Sequence, residues 1–467
     1  MSYEETRQRH LADWAAAMPE HVERLSWPVP RLRAERQHRL RALVRVAAER
    51  SPWHRRRLKG LDPETVREED LGRIPPMTTE DLMAHWDEIV TDPRLRLDLV
   101  ERHLAGLTGD AYLLGEFHAV ASGGSTGRRG VFVYDWNSWA TAHAGFLRPL
   151  ARDRAISADL ATAPGTAAVV AAQHPAHMSA ALAQTFASPA LDVRSFPVTL
   201  PVGEIVSGLN QWQPTMLLGY PTALAMLAIE ARRGRLRISP RRVVSSSEPL
   251  LPGTRHALEQ AFDVPVANMF GTSEAGPMAV GCWRGPGMHL CDDLVIIEPV
   301  DQSGLPVAPG VLSGQVYLTA ISNPALPLIR FELTDQVKVT GTACPCGSAH
   351  TLIADIEGRL DDLFTYPGGI TIHPHVFGSV LRRDPGIVTY QVRQTVTGAE
   401  VLALGAPADP DGIANALTGQ LRRHGIPDPS VTVRVVSQLD RQASGKARRF
   451  TPLPARVLSG PAHLSSS

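Results

Sequence analysis

Between residues 115 and 320, short apolar runs alternate with stretches of helical periodicity. Residues 131–134 (Val-Phe-Val-Tyr) precede a helix-like segment over 136–148. Residues 215–220 precede one over 221–233, and 242–245 precede one over 252–262. Strand followed by helix, repeated, predicts a layered α/β domain. Upstream, residues 4–58 read as helical, with Leu40, Leu43, Val44, Val46 and Ala47 on one apolar stripe and arginines opposite. Thr78, just before the polar Thr79-Glu80-Asp81, predicts a helix N-cap.

The texture changes after Gly358. A helix is predicted over 374–383, a hairpin over 388–404 turning at Thr397-Gly398, an amphipathic helix over 411–424 and a strand over 431–436. That is a compact α+β unit of domain size. The expected organisation is a large α/β N-terminal domain over 1–357, a hinge over 358–362 and a small mobile C-terminal domain over 363–467.

Composition narrows the function classes. The chain has 467 residues, 43% hydrophobic, with 47 basic and 47 acidic residues. That neutral balance gives no support to nucleic acid or an anionic membrane as partner. The polar, acidic N-terminus predicts no signal peptide, and no apolar run is long enough to span a bilayer. A cytoplasmic protein, monomer or homodimer, is the expectation. Positive charge is carried by arginine almost throughout; the lysines are Lys59, Lys338 and Lys446. Lys446 lies in Ala443-Ser444-Gly445-Lys446-Ala447, where a compact ammonium on a flexible stem offers what arginine does not. The four cysteines, Cys282, Cys291, Cys344 and Cys346, are clustered, which in a cytosolic chain points to metal rather than disulfides.

Four further segments carry candidate chemistry. Ser122-Gly123-Gly124-Ser125-Thr126-Gly127-Arg128 concentrates glycines, hydroxyls and a guanidinium, the means of holding a phosphate, though a plain surface loop fits it too. Met269-Phe270-Gly271-Thr272-Ser273-Glu274 ends in a carboxylate suited either to a magnesium ion beside a phosphate or to a helix start. Residues 327–335 end at Asp335, a candidate acceptor for ribose hydroxyls or a strand-ending turn. Gly358-Arg359-Leu360-Asp361 lies at the expected domain junction.

In kind, order and spacing these segments and the Lys446 turn resemble the motifs of the adenylate-forming acyl- and aryl-CoA ligases. The resemblance implies ATP/AMP contacts from Ser122, Gly123, Gly124, Ser125, Thr126, Gly127, Ser247, Glu248, Pro249, Met269, Phe270, Gly271, Thr272, Asp335 and Arg359. It implies Lys446, Glu274 and Arg359 as catalytic residues, Glu274 holding Mg2+, and Asp361 as hinge pivot. Among these ligases, the chain resembles the phenylacetate-CoA ligase subfamily. Ser51-Pro52-Trp53-His54, residues 74–82 and Cys344-Pro345-Cys346-Gly347 are similar to its signatures. Departures are Ser125 where threonine is usual, Arg128 near the usual lysine, and Ser246-Ser247-Glu248-Pro249 for Gly-Gly-Glu-Pro.

The activity so implied is ATP-dependent conversion of a carboxylic acid, aromatic by subfamily, to an acyl-AMP and then to a coenzyme A thioester. Transfer to a carrier protein, amine or hydroxyl is the alternative, and a non-catalytic nucleotide-binding zinc protein is the alternative of another class. Some relatives of this subfamily carry a zinc site at positions matching Cys282, His289, Cys344 and Cys346; Cys291 is then spare, either replacing one ligand or packing as a small buried residue, and free cysteines are the other reading. His174, Tyr220 and Gly271 are candidates for the acid pocket, although His174 and His177 also read as loop histidines. His373-Pro374-His375 reads as a helix start, and Trp212 and Trp283 as packing residues.

Overall fold

The computed structural model describes residues 2–122, 129–156, 165–187, 191–282, 284–285, 287–354, 356, 362–442 and 445–453, without the side chains of Arg154 and His375. Gly123 to Gly127, Trp283, Arg359 and Asp361 therefore lie outside the described residues.

The N-terminal helical stretch is three helices, Tyr3–Glu23, Val29–Arg50 and Pro52–Arg57. Pro28 caps the second and Ser51 the third, whose His54 amide bonds to the Ser51 hydroxyl. Thr78 caps Thr79–Ala84 in a reciprocal box with Asp81. A short antiparallel ribbon follows, β1 (His118–Ala121) and β2 (Val131–Tyr134).

The central sheet is built from β3 (Thr166–Ala171), β4 (Asp192–Pro197), β5 (Met216–Gly219), β6 (Arg242–Ser246), β7 (Val266–Thr272), β8 (Gly276–Gly281), β9 (Met288–Leu290) and β13 (Leu352–Ile353). Its order is β13-β9-β8-β7-β6-β5-β3-β4. The block β4-β3-β5-β6-β7 is parallel; from β7 onward the pairing is antiparallel. Helices Pro221–Arg232 and Pro252–Phe262 follow β5 and β6, each starting at a proline that needs no amide partner. A second sheet, β10 (Ile296–Val300), β11 (Gln315–Thr319) and β12 (Phe331–Leu333), is antiparallel.

The C-terminal unit has a small hairpin, β14 (Phe364–Tyr366) with β15 (Ile370–Ile372), and a mixed sheet. That sheet comprises β16 (Ile387–Gln394), β17 (Gly398–Gly405), β18 (Ser430–Val436) and β19 (Phe450–Thr451) in the order β18-β17-β16-β19. Helices Pro374–Leu381 and Pro410–Arg423 cover one face. Along β17, Ala399, Val401 and Ala403 enter this unit's own core, while Leu402 and Leu404 join Val388 in the core around Ala223, Leu227 and Leu258. Period-two alternation with both faces apolar means both faces are covered. Helix Pro252–Phe262 docks directly on β16: the Thr254 hydroxyl donates to the Val388 carbonyl at 2.6 Å. Fold class and elements agree with the layered α/β unit and small α+β unit expected. Among the described residues no helix is long and apolar enough to cross a membrane.

Several histidines are buried inside this frame. Burial pushes His10 and His21 down to about 4, and His54 and His143 down to about 3. His54 is typical, its Nε2 donating to the Pro327 carbonyl at 2.8 Å. A histidine held neutral when folded but free to charge when unfolded gives stability that is present above its unfolded pKa. That stability is lost as pH falls from there toward the folded value. At pH 5 the cost is about 2 kcal/mol per such histidine. Thermal unfolding should therefore shift clearly downward between pH 7 and pH 5, with proton uptake on unfolding. A melting temperature flat over that window would contradict the burial.

Candidate active site and metal centre

The parallel strands deliver their carboxyl ends to one edge, where open α/β sheets bind ligands. At that edge stand Ala171-Ala172 after β3, Tyr220 after β5, Ser247-Glu248 after β6 and Thr272 at the end of β7. The β7–β8 connection is a tight turn, with Thr272 paired to Gly276 and the Ala275 amide bonded to the Thr272 hydroxyl at 3.2 Å. It presents Glu274, half-buried, in the electrostatic range of the fully buried Tyr134, whose hydroxyl donates to the Ser273 carbonyl at 2.8 Å. Gly271 has no room for a side chain: a Cβ there would sit 2.5 Å from the Phe146 ring. Phe146 thus lies directly against the candidate acid pocket, a neighbour that no sequence motif marked.

The glycine-rich loop joins β1 to β2 and is closed at its base. The Ser122 amide donates to the Gly130 carbonyl at 3.0 Å, and the Gly130 amide to the Ser122 hydroxyl at 2.8 Å. Beside it lies His177, whose ring faces the Ala121 backbone. Burial, then the Lys446 ammonium, His174 and Arg129 push His177 down to about 4. Lys446 from the C-terminal unit and Arg129 from the end of the glycine loop therefore act on one half-buried imidazole. His174 is exposed and bonds the Ala176 amide at 3.2 Å. Lys446 and Arg129 thus both lie within electrostatic range of His177.

The turn carrying Lys446 is seated on the large unit. Gly445, at φ 75°, lies so close to Ala172 and Val198 that a Cβ would meet them at 3.1 and 3.0 Å. The Ala447 amide donates to Glu248 Oε1 at 2.7 Å. The other oxygen, Oε2, accepts from the Thr222 hydroxyl at 2.7 Å and the Thr222 amide at 3.1 Å. Arg441 stands 3.9 Å from Glu248 and bonds the Thr222 hydroxyl and the Gly445 carbonyl. Burial raises the Glu248 carboxyl above its ordinary range, and these donors oppose that rise. Tyr220, 2% exposed, lies underneath against the Ala172 backbone. Ser247 takes φ 70°, and Pro249 follows Glu248, so the backbone of this segment turns sharply at the strand end. Sequence reasoning missed the Glu248–Thr222–Arg441 group.

Asp335 is buried just beyond β12. Its neighbour Gln336 meets His373 Nε2 at 3.2 Å, at the start of helix Pro374–Leu381, so the C-terminal unit leans on this strand end as well. Trp212 is a packing residue, with the Arg194 guanidinium 3.7 Å over its ring.

A second cluster lies at the other end of β8. The β8–β9 hairpin brings Cys282 to His289, and the Cys344-Pro345-Cys346-Gly347 turn closes over them. One donor atom from each of Cys282, His289, Cys344 and Cys346 lies within 4.8 Å of all the others. Cys282 Sγ is 3.5 Å from Cys344 Sγ, and Cys346 Sγ is 3.2 Å from His289 Nε2. A tetrahedral zinc centre with 2.3 Å sulfur bonds places its sulfurs about 3.8 Å apart, so the set fits. The amides of Arg284 and Ser348 point at Cys282 and Cys346 Sγ, and His289 Nδ1 donates to the His350 carbonyl at 3.1 Å. Such outer bonds fix ligand orientation and leave Nε2 for the metal. Cys291 stands apart from the four donors. It is buried against Arg148, which makes a two-pronged bond to Asp293 at 2.7 Å on each arm.

With this geometry, comparison with known proteins is direct. No family model matches the chain. Phenylacetate-coenzyme A ligase from Thermus thermophilus is 28% identical over 78% of this chain and 78% of its own length. The enzyme of that name from Aromatoleum evansii is 23% identical over 76% of each. Among solved structures, 2-hydroxyisobutyryl-CoA ligase in its postadenylation state superposes with a TM-score of 0.69, covering 93% of this chain and 92% of its own, at 20% identity. The same ligase in its thioesterification state gives 0.57 over 92% and 91%. The fold is that of the adenylate-forming CoA ligases. In sequence the chain is similar to the phenylacetate-coenzyme A ligases.

Proposed function

We propose that the protein uses ATP to convert a carboxylic acid, aromatic by analogy with the phenylacetate-coenzyme A ligases it resembles, to an acyl-AMP and then passes the acyl group to the thiol of coenzyme A. The observation carrying this is the seat of Lys446. A flexible point charge from the small unit is held at the carboxyl edge of the parallel strands, acting with Arg129 on His177 beside the glycine loop.

In the first half-reaction a carboxylate oxygen attacks the α-phosphate and pyrophosphate leaves. Lys446 neutralises charge between carboxylate and α-phosphate as it builds, an electrostatic contribution that needs position more than covalent chemistry. The loop from Ser122 to Gly127 receives the leaving pyrophosphate. Asp335 accepts from the ribose hydroxyls. Glu274 would hold a magnesium ion, which would supply charge neutralisation at the phosphates. Gly271 and Phe146 border the acid. Arg359 and Asp361 belong to the junction through which the small unit turns, removing Lys446 before thiolysis. Zinc at the cysteine cluster is structural.

Glu274 and Asp335 touch different parts of the nucleotide, so their variants should fail differently. Glu274→Gln should recover part of its activity at raised magnesium. Asp335→Asn should weaken ATP and AMP binding together by roughly 1–3 kcal/mol at every magnesium level. Equal rescue of both by magnesium, or equal use of 2′-deoxy-ATP and ATP, would refute the ribose role. The overall reading is tested by ATP–pyrophosphate exchange against a panel of aryl and short acyl acids. Exchange with at least one acid is expected. ATP binding without exchange for any acid would favour a nucleotide-binding protein instead. Exchange without thioester on adding coenzyme A would move the acceptor to a carrier protein or amine.

A further inference from the structure

We infer that Glu248 is a positioning residue for adenylation: the large unit's buried catch for the Lys446 turn. This rests on the reading of Lys446 as the group that acts at the α-phosphate. The catch is specific in its partners. Oε1 takes the amide of Ala447, the residue next to Lys446, at 2.7 Å, and Oε2 is held by the hydroxyl and amide of Thr222. Thr222 opens helix Pro221–Arg232 of the large unit, so the carboxylate bridges a rigid element and a turn that must arrive and depart. Arg441 closes the turn on itself through the Gly445 carbonyl at 3.0 Å and touches the same Thr222 hydroxyl at 3.2 Å.

Elsewhere among the described residues the units also meet through the Thr254 hydroxyl on the Val388 carbonyl and through Gln336 with His373, both far along the chain from Lys446. Leu402, Leu404 and Val388 pack on the large unit's helices through apolar surface, which attracts without fixing a register. Lysine is a long flexible side chain, and its ammonium is placed only as well as its backbone. A charge-assisted bond to the adjoining amide fixes that backbone, and Gly445 lets the turn approach Ala172 with no Cβ in the way. When the small unit turns away, the carboxylate loses Ala447 and Arg441 and keeps Thr222. The catch therefore favours the adenylating arrangement over the thiolysis arrangement and is not needed once the adenylate exists.

Glu248→Gln keeps the shape but cannot satisfy both sides. Whichever way the amide is turned, its NH2 faces a donor, either Ala447 N–H or the Thr222 pair. Two measurements test the inference. In kinetics, kcat for acid-dependent pyrophosphate exchange should fall about tenfold or more, the scale of one charge-assisted hydrogen bond. The KM for ATP should stay within about twofold, and thioester formation from supplied acyl adenylate should be unchanged or faster. In hydrogen–deuterium exchange on the intact protein without substrates, the segment around Ala447 should exchange faster in the variant than in the parent. Peptides of β3, β5 and β16 should not change. Equal loss in both half-reactions, or a raised KM for ATP at constant kcat, would overturn the assignment and make Glu248 a nucleotide contact. Unchanged protection at Ala447 would overturn it regardless of activity. If the parent shows no exchange with any acid, the adenylation reading fails separately, and the protection measurement still decides whether the catch exists. Arg441→Ala leaves the buried carboxylate in place. It should give the same kinetic split more weakly, so a folding failure of Glu248→Gln does not end the test.

Discussion

Lys446→Ala should lose acid-dependent pyrophosphate exchange by about 10²-fold or more, the usual scale for removing one preorganised electrostatic donor. Thioester formation from a supplied acyl adenylate should survive. The reason is geometric. Lys446 is brought to His177 and the glycine loop by a turn whose anchors, Glu248, Thr222 and Ala172, all belong to the large unit. A group delivered by docking acts only while docked. On the proposed mechanism the second step follows movement of the small unit and should not need it. Lys446→Arg should not rescue the first step, because a planar fork does not replace a point charge. Equal loss of both half-reactions would refute the alternating role.

Cys344→Ser should act through folding rather than chemistry. Cys282, His289, Cys344 and Cys346 knit the β8–β9 hairpin to the turn at Cys344-Pro345-Cys346, and His289 also pairs with Leu352 of β13 at the sheet edge. Binding energy at a structural metal site is folding energy. The substitution should cost about 4 kcal/mol or more, the range reached when a metal site is lost. Soluble yield and melting temperature should drop while the KM for ATP of the surviving protein stays near the parent value. Elemental analysis should find one zinc per chain in the parent. Cys291→Ser should leave that content unchanged, because its sulfur lies against Arg148 and outside the four donors. A metal-free parent, or Cys291→Ser as the damaging change, would contradict the assignment.

Much of the fold was legible because local rules decided it. The Thr78 cap, the strand at Val131–Tyr134, the β6-to-helix step and the hairpin turning at Gly398 all follow from capping, β-branched runs and turn residues, and all are present. The single helical stretch of the N-terminus failed at Pro28 and Ser51, where proline geometry and a side-chain cap outrank periodicity. The three-stranded sheet of β10, β11 and β12 was not anticipated, since short strands paired across intervening loops leave little periodic signal.

For the site, residue types were readable and partners were not. The four candidate metal ligands that the resemblance implied, Cys282, His289, Cys344 and Cys346, are brought together by the fold. Glu248 was read from its motif as a nucleotide contact, and nothing in one dimension reveals that its carboxylate faces Thr222 and Ala447. Docking of the small unit had a trace in the sequence. Residues 401–404 (Val-Leu-Ala-Leu) lack the polar alternation of a half-exposed strand, and both their faces are buried.

The most direct test of the central claim is product analysis with purified protein, ATP, magnesium, coenzyme A and the best acid from the exchange panel. Adenylation followed by thiolysis predicts one AMP and one pyrophosphate for each thioester formed, with acyl-AMP accumulating when coenzyme A is withheld. Release of ADP and inorganic phosphate, or thioester formation without AMP, would contradict it.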